Sequence, residues 1–363
     1  MRLRHRLSEP RGTKRWVAVG PLRPPVHGQA LVTERVARFM CSRLPDVVVV
    51  NTSEGEGATG SRMLRKAARN GRAALAIANG GNAYISVGSG DGMWLSTILA
   101  AVARLRRARI LLHHHSYAHI RTRTLRMKAL TSAAGPRAVH IVLSEQMEQD
   151  IRAASPALLK TVVVGNATMV EPALLQCRSK GDIDVLALGH LSNLTRAKGI
   201  EATISLTQKL LEQGTATRLV LAGPLMDEFS SSQVRRAEKV LGDRFQYLGE
   251  LDDAGKIAFY EEISHFVFPS QYVNEAVPMV LYEALAAGVP CLATPVGSIP
   301  QQLAHSGSFV STRPETFVEE SLDFLTRPRT TVARMSIAAR KAYLSELKRS
   351  TDALDGLFGP EAS

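Results

Sequence analysis

Two carboxylates eight positions apart, Glu275 and Glu283, stand in the run Phe268-Pro-Ser-Gln-Tyr-Val-Asn-Glu275-Ala-Val-Pro-Met-Val-Leu-Tyr-Glu283-Ala-Leu-Ala-Ala-Gly. A strand pattern ends at Phe268, a loop carries Asn274 and Glu275, and a helix opens near Pro278, because proline suits the first helical position. Past Val277, the free N–H groups around Met279 and Val280 would aim the positive end of the helix dipole into that loop, which makes a seat for a pyrophosphate. Glu283 falls about one and a half turns inside the helix, so the acids would flank the phosphate without touching each other. A sugar on one side and a ribose on the other would supply hydroxyls for each.

A second strand–loop–helix element reads Leu188-Gly-His190-Leu-Ser-Asn193-Leu-Thr-Arg196-Ala-Lys198-Gly199. Lys198, near a helix start, is placed to neutralise a leaving diphosphate, and charge-assisted contacts of this kind are worth about 1.5 to 3 kcal/mol each. Leu221-Ala-Gly223-Pro224 ends another strand at the same edge and is expected to line a nucleotide pocket. Near the start of the chain, His27-Gly28-Gln29 follows the first strand, and glycine there permits close backbone approach to a phosphate or sugar. The loop after the first strand is not GxGxxG and the chain has no Gly-Lys-Ser/Thr loop, which argues against a dinucleotide oxidoreductase and a P-loop enzyme. The run His113-His114-His115 ends a buried strand pattern; alternation puts His113 and His115 on one face and His114 on the other, which disfavours one metal ion shared by all three. No metal site is expected.

On the Glu275/Glu283 motif, the Lys198-Gly199 pair and the tandem strand–helix pattern from Val17 to about Arg340, the chain resembles the retaining GT-B glycosyltransferases of family four, whose hallmark is Glu-x7-Glu. The resemblance implies a nucleotide-sugar held mostly by the C-terminal domain, with Glu275 on sugar hydroxyls and Glu283 on the ribose. Such enzymes show Gly-Arg-Leu before the Lys-Gly pair; His190 stands in the arginine's place, leaving His190, Arg196 and Asn193 as alternatives for the second phosphate contact. The resemblance also implies a strand-end histidine near the donor sugar or acceptor, taken as His114, with His115, His27 and Arg121 on the acceptor side. The segment Glu250 to Ile257 is similar to the one beside the nucleobase.

The elements that must hold these residues are short β-rich runs alternating with amphipathic segments, the pattern of parallel sheets covered by helices. The expected fold class is α/β: two tandem Rossmann-like doubly wound parallel-sheet domains with an interdomain cleft. The expected divisions are a basic leader at 1–14, an N-terminal acceptor-side domain at 15–166, a linker at 167–181, a C-terminal donor domain at 182–345 and a helical tail at 346–363.

Length and charge fit this outline. The chain has 363 residues and a net charge of +12. Its basic excess is confined to the first half, with Leu105-Arg-Arg-Ala-Arg109 and Arg121-Thr-Arg-Thr-Leu-Arg-Met-Lys128 prominent, while the second half is mildly acidic. Such clusters suit an anionic membrane surface. Aromatic residues make up only 5%, and no nucleic-acid-binding motif occurs, so nucleic acid is not an expected partner. Three dispersed cysteines suggest a reducing compartment. Together these point to a cytoplasmic enzyme on the inner face of the plasma membrane. The expected reaction is metal-independent and retaining: transfer of a sugar from a UDP- or GDP-sugar co-substrate, without a further cofactor, to a lipid-diphosphate-linked or glycan acceptor in surface-polysaccharide assembly. The alternatives are a nucleotide-sugar epimerase or glycosyl phosphorylase on the same fold, or a non-catalytic membrane-associated nucleotide-sugar-binding subunit.

Overall fold

The β-rich runs fold into two parallel six-stranded sheets, one in each of two compact units. The computed structural model describes residues 14–23, 28–53, 71–120, 124–155, 160–178, 185–326 and 331–359. His27, Arg121 and nearly all of the basic leader lie outside these residues.

The first unit runs through Val164 and takes in the tail from Asp352. Its strands are β1 (Trp16–Gly20), β2 (Val47–Asn51), β3 (Asn82–Ser86), β4 (Arg109–His113), β5 (Val139–Val142) and β6 (Lys160–Val163), in the order β2-β1-β3-β4-β5-β6. Every residue of β1 and β3 is buried, as in sheets covered on both faces. Helices α1 (Gly28–Arg43), α2 (Gly92–Leu105), α3 (Leu125–Ala134) and α4 (Glu145–Ala154) provide the cover.

The second unit is Gly165–Thr351. Its strands β7 (Leu186–Leu191), β8 (Thr217–Ala222), β9 (Phe245–Tyr247), β10 (His265–Phe268), β11 (Cys291–Ala293) and β12 (Phe309–Val310) lie in the order β12-β11-β10-β7-β8-β9. Between and after them come α5 (Ile200–Glu212), α6 (Glu228–Leu241), α7 (Asp253–Glu262), α8 (Met279–Ala286), α9 (Phe317–Thr326) and α10 (Val332–Phe358). The core packs Leu188, Leu219, Leu221 and Val267 of the sheet against Ile200 and Ile204 of α5.

Strand order reverses between β1 and β3 in one sheet and between β7 and β10 in the other. Doubly wound sheets bind ligands beyond the strand ends at such points. Both candidate motifs of the second half follow the two strands that flank its reversal, Lys198 after β7 and Glu275 after β10.

The units divide at Val164/Gly165, earlier than the sequence pattern suggests. Much of the stretch read as a linker folds with the second unit, in short 3-10 turns at Asn166–Met169 and Pro172–Gln176. Asn166 Nδ2 donates to the Val277 carbonyl at 2.9 Å, which ties the first of these turns to the entry of α8. The tail is no separate element either. Helix α10 is continuous through 27 residues, and its end packs in the first unit's core, where the Phe358 ring meets Trp16 edge-on at 5.2 Å and Tyr84 at 6.3 Å.

Candidate functional site

After β7 the chain turns through a 3-10 segment, Arg196–Lys198, and reaches Gly199 at φ +79°. A side chain at Gly199 would have its Cβ 2.2 Å from the Pro269 carbonyl oxygen, so only glycine lets this loop lie against the one after β10. The two loops are then stitched together by Gln271 N donating to the Ala197 carbonyl at 2.7 Å. This close approach brings Lys198 Nζ to 2.5 Å from Glu275 Oε2, with the two side chains only 22% and 12% exposed. The Ser270 hydroxyl donates to the same Glu275 oxygen at 3.0 Å. The Lys198 ammonium also lies 5.4 Å from the Phe268 ring centre and 5.3 Å from that of Tyr272.

Helix α8 starts directly after this pair. Pro278 is its N-cap, one position earlier than expected, and its side chain makes no capping bond. The N–H groups of Met279 and Val280, both half-buried, belong to the first turn, whose donors find no partner inside a helix. Gln302 Nε2 donates to the Pro278 carbonyl at 2.9 Å, so the helix entry is held from two sides. Val277 is buried and Asn274 half-buried beside it.

Glu283 is buried on α8 and meets a different cation. Lys256 Nζ of α7 lies 2.8 Å from Glu283 Oε1, and the Tyr260 hydroxyl donates to Oε2 at 3.2 Å and to the Val280 carbonyl at 3.1 Å. Each glutamate of the motif thus has its own lysine. Burial and the adjacent Glu283 charge push the Tyr260 hydroxyl well above its ordinary range, so it stays a donor. Gly223, at the end of β8, has φ +116° and closes onto the Ser192 carbonyl, where a Cβ would stand at 1.8 Å. Tyr260 and Asn166 escape a reading by motif, because their contacts are made across the fold, whereas Lys256 and Ser270 lie inside segments that the sequence marks without being singled out in them. Lys256 and Tyr260 do carry a local signal, being one helical turn apart on α7.

The three alternatives for the second phosphate contact fare differently. His190 is completely buried; its Nδ1 lies 2.9 Å from the Val267 carbonyl and its Nε2 2.9 Å from the Ser192 hydroxyl. Burial holds its pKa down at about 4. It fastens β7 to β10 and to the following loop. The Arg196 guanidinium lies over the Phe229 ring at 3.8 Å and 3.4 Å from Glu201. Asn193 is exposed in the same loop.

In the first unit the strand-end histidines follow the expected alternation. His113 and His115 lie together on one face, their rings 4.1 Å apart and tilted by 42°, and the Tyr84 hydroxyl lies 2.8 Å from His113 Nδ1. His114 faces the other way and is sealed in, its Nδ1 3.0 Å from His119 Nε2 and its Nε2 3.0 Å from His140 Nδ1. Burial, reinforced by the neighbouring imidazoles, drives the His114 pKa well below 6.5. His114 is therefore a neutral link in a buried imidazole chain, with both ring nitrogens facing other histidines. His115, partly exposed, is the nearer to solvent. Gly28 opens α1, and a Cβ there would meet nothing within 4 Å. At the β1/β3 reversal, Gln29 Nε2 donates to Ser86 Oγ and to the Val87 carbonyl, both at 3.0 Å. Among the described residues no group of three or more His, Cys, Asp or Glu is placed to hold a metal ion.

Comparison with known proteins places this geometry in context. Residues 181–342 match the glycosyl transferases group 1 family, so the second unit carries a domain of that kind. An N-acetyl-alpha-D-glucosaminyl L-malate synthase of Bacillus anthracis is 27% identical over 117 residues, which is 32% of this chain and 29% of that protein. The gpi3 subunit of a Schizosaccharomyces pombe phosphatidylinositol N-acetylglucosaminyltransferase is 31% identical over 140 residues, 38% of this chain and 29% of that one. The matches thus span under a third of each of these curated relatives. Among solved structures, Anabaena HepE in complex with UDP superposes with a TM-score of 0.67 at 14% identity, covering 94% of this chain and 99% of that one. The fold is GT-B, with two Rossmann-like α/β domains.

Proposed function

We propose that the chain is a retaining, metal-independent glycosyltransferase that moves a sugar from a nucleoside-diphosphate sugar to a lipid-diphosphate-linked or glycan acceptor in surface-polysaccharide assembly. The observation that carries this reading is the Lys198–Glu275 pair, held at the strand-order reversal beside the open first turn of α8. A bound diphosphate draws Lys198 and the N–H groups of Met279 and Val280, and competes with Glu275 for the lysine. Glu275 then accepts from the sugar's hydroxyls, and Glu283, held in place by Lys256 and Tyr260, accepts from the ribose. Charge that develops on the departing diphosphate is met by donors already oriented, which is where such sites gain most of their rate. Retention follows from front-face substitution, in which a donor phosphate oxygen takes the acceptor's proton as the hydroxyl attacks.

UDP-sugars are the first choice of donor, since HepE is known as a complex with UDP and another with UDP-glucose; GDP-sugars are the second. The yeast relative acts on a phosphatidylinositol, which supports a lipid-borne acceptor. The enzyme needs no cofactor beyond its co-substrate and works in the cytoplasm at the inner face of the membrane. Thermal protection and nucleoside-diphosphate release across UDP- and GDP-sugars test the proposal. At least one donor should raise the melting temperature and be consumed. No protection and no release by any donor would refute it.

A further inference from the structure

We infer that the outer face of α2 and α3, together with the helical segment at residues 71–76, is a docking surface for an anionic lipid bilayer. Along α2 the side chains Trp94, Ile98 and Leu105 are 42%, 59% and 84% exposed, at a spacing that puts them on one stripe. Leu125, on the first turn of α3, is 72% exposed, and Leu75 is 77% exposed. The three segments are neighbours. Arg126 of α3 pairs with Asp91 at the head of α2 at 2.7 Å, and Arg104 Nη1 donates to the Ser132 carbonyl at 2.7 Å near the tails of both, so the helices run side by side in the same direction. Arg106 Nη1 donates to the Ala74 carbonyl at 2.9 Å, bringing Leu75 beside the end of α2.

The charge around this apolar stripe has one sign. Residues 71–78, 92–109 and 124–137 contain no Asp or Glu, while Arg72, Arg104, Arg107 and Lys128 are exposed among them. Asp91 is the acid at the border, and Arg126 engages it. Large apolar side chains standing in water beside unopposed cations match the interfacial zone of a membrane, where tryptophan and leucine enter the acyl boundary and cations meet anionic headgroups. A soluble acidic protein would satisfy the cations but leave this stripe less well used than a bilayer does.

This inference deepens the lipid-borne acceptor reading, and its readout is vesicle binding without turnover, so the two fail separately. The test uses the full chain with vesicles of phosphatidylcholine alone and of an equal mixture with phosphatidylglycerol. The chain has two tryptophans, and Trp16 is buried, so Trp94 reports directly. The expected result is cosedimentation with the mixed vesicles, weakened but not abolished by salt, with a blue shift of Trp94 emission. Ile98→Ser with Leu105→Ser should cut partitioning at least about tenfold. Arg107→Glu with Lys128→Glu should also weaken it, and should flatten its salt dependence. Both variants should keep the wild-type melting temperature. Failure to bind mixed vesicles at low salt, or binding that the Ile98/Leu105 variant leaves unchanged, would overturn the inference. So would a dimer in solution that excludes vesicles and dissolves with the same two substitutions, since the stripe would then serve a second copy of the chain.

Discussion

Glu283 has both carboxylate oxygens engaged, one by Lys256 and the other by Tyr260, in a site where it is only 6% exposed. A buried carboxylate that loses its cation keeps the desolvation cost without the compensating charge. Lys256→Met should therefore disturb ribose recognition more than chemistry, raising the donor KM on the order of tenfold with kcat nearly unchanged; equal loss in both would assign Lys256 to the reaction itself. The imidazoles give a second expectation. Burial lowers the pKa of His113 to about 3 and of His119, His140, His190 and His265 to about 4, from an ordinary 6.5. Below 6.5 the unfolded chain binds protons that the folded chain refuses, so stability is full above that value and is lost as the pH falls toward 4. Each such histidine withdraws up to about 1.4 kcal/mol per pH unit in that window. Melting temperatures from pH 8 to 5 should drop steeply below 6.5; a flat profile would mean that the histidines ionise in place. The placement of Lys198 and Glu275 after strand ends and of Glu283 on the following helix was legible in the sequence, because strand ends and helix starts carry local signals. The fate of His114 was not, because alternation tells which face a side chain takes and not that His119 and His140 cover it.

At the scale of elements, the loop after β7 depends on Gly199. Its φ of +79° and the 2.2 Å approach to Pro269 leave no room for a methyl group. Gly199→Ala should move the 196–198 turn off the Ser270 loop, cost about 1 to 3 kcal/mol of stability from backbone strain alone, and reduce donor protection with it. Retained donor binding at wild-type stability would show that the loop's position is not set by this contact. Strands such as β1, Trp-Val-Ala-Val-Gly, and β4, Arg-Ile-Leu-Leu-His, are legible in the sequence, since burial on both faces leaves a nearly continuous apolar signal. Helix α4 has little signal in the sequence beyond its start, where Ser144 caps it by accepting from Met147 N at 3.1 Å and two acids sit in its first turn. Only Met147 and Ile151 of that helix are buried, so its apolar face is too thin to show as periodicity. The two-residue strand β12 is too short to carry any pattern.

For the molecule as a whole, the chain's end returns to the first unit's core. Phe358 packs on Trp16, Phe39 and Tyr84, and Arg109 Nη1 donates to the Leu357 carbonyl at 3.2 Å. Phe358→Ala should destabilise that unit by about 3 to 5 kcal/mol and shift Trp16 emission to the red; an unchanged emission and melting curve would mean that the tail is dispensable. The doubly wound alternation of both units is legible in the sequence, because the 2-residue and 3.6-residue periods are local, whereas this closure is not, because it depends on residues more than 340 positions apart. The charge asymmetry acquires a location in the same way, with part of the basic excess standing around the apolar stripe of the first unit and the paired glutamates in the second. The central claim is that the second unit holds a nucleoside-diphosphate sugar between Lys198, Glu275 and the start of α8. Its most direct test is the initial rate of nucleoside-diphosphate release from a panel of UDP- and GDP-sugars by the wild-type chain and by Lys198→Ala and Glu275→Ala. Turnover of at least one donor, reduced about a hundredfold in each variant at unchanged fold, is the expected result; variants that release product as fast as the wild type would contradict it.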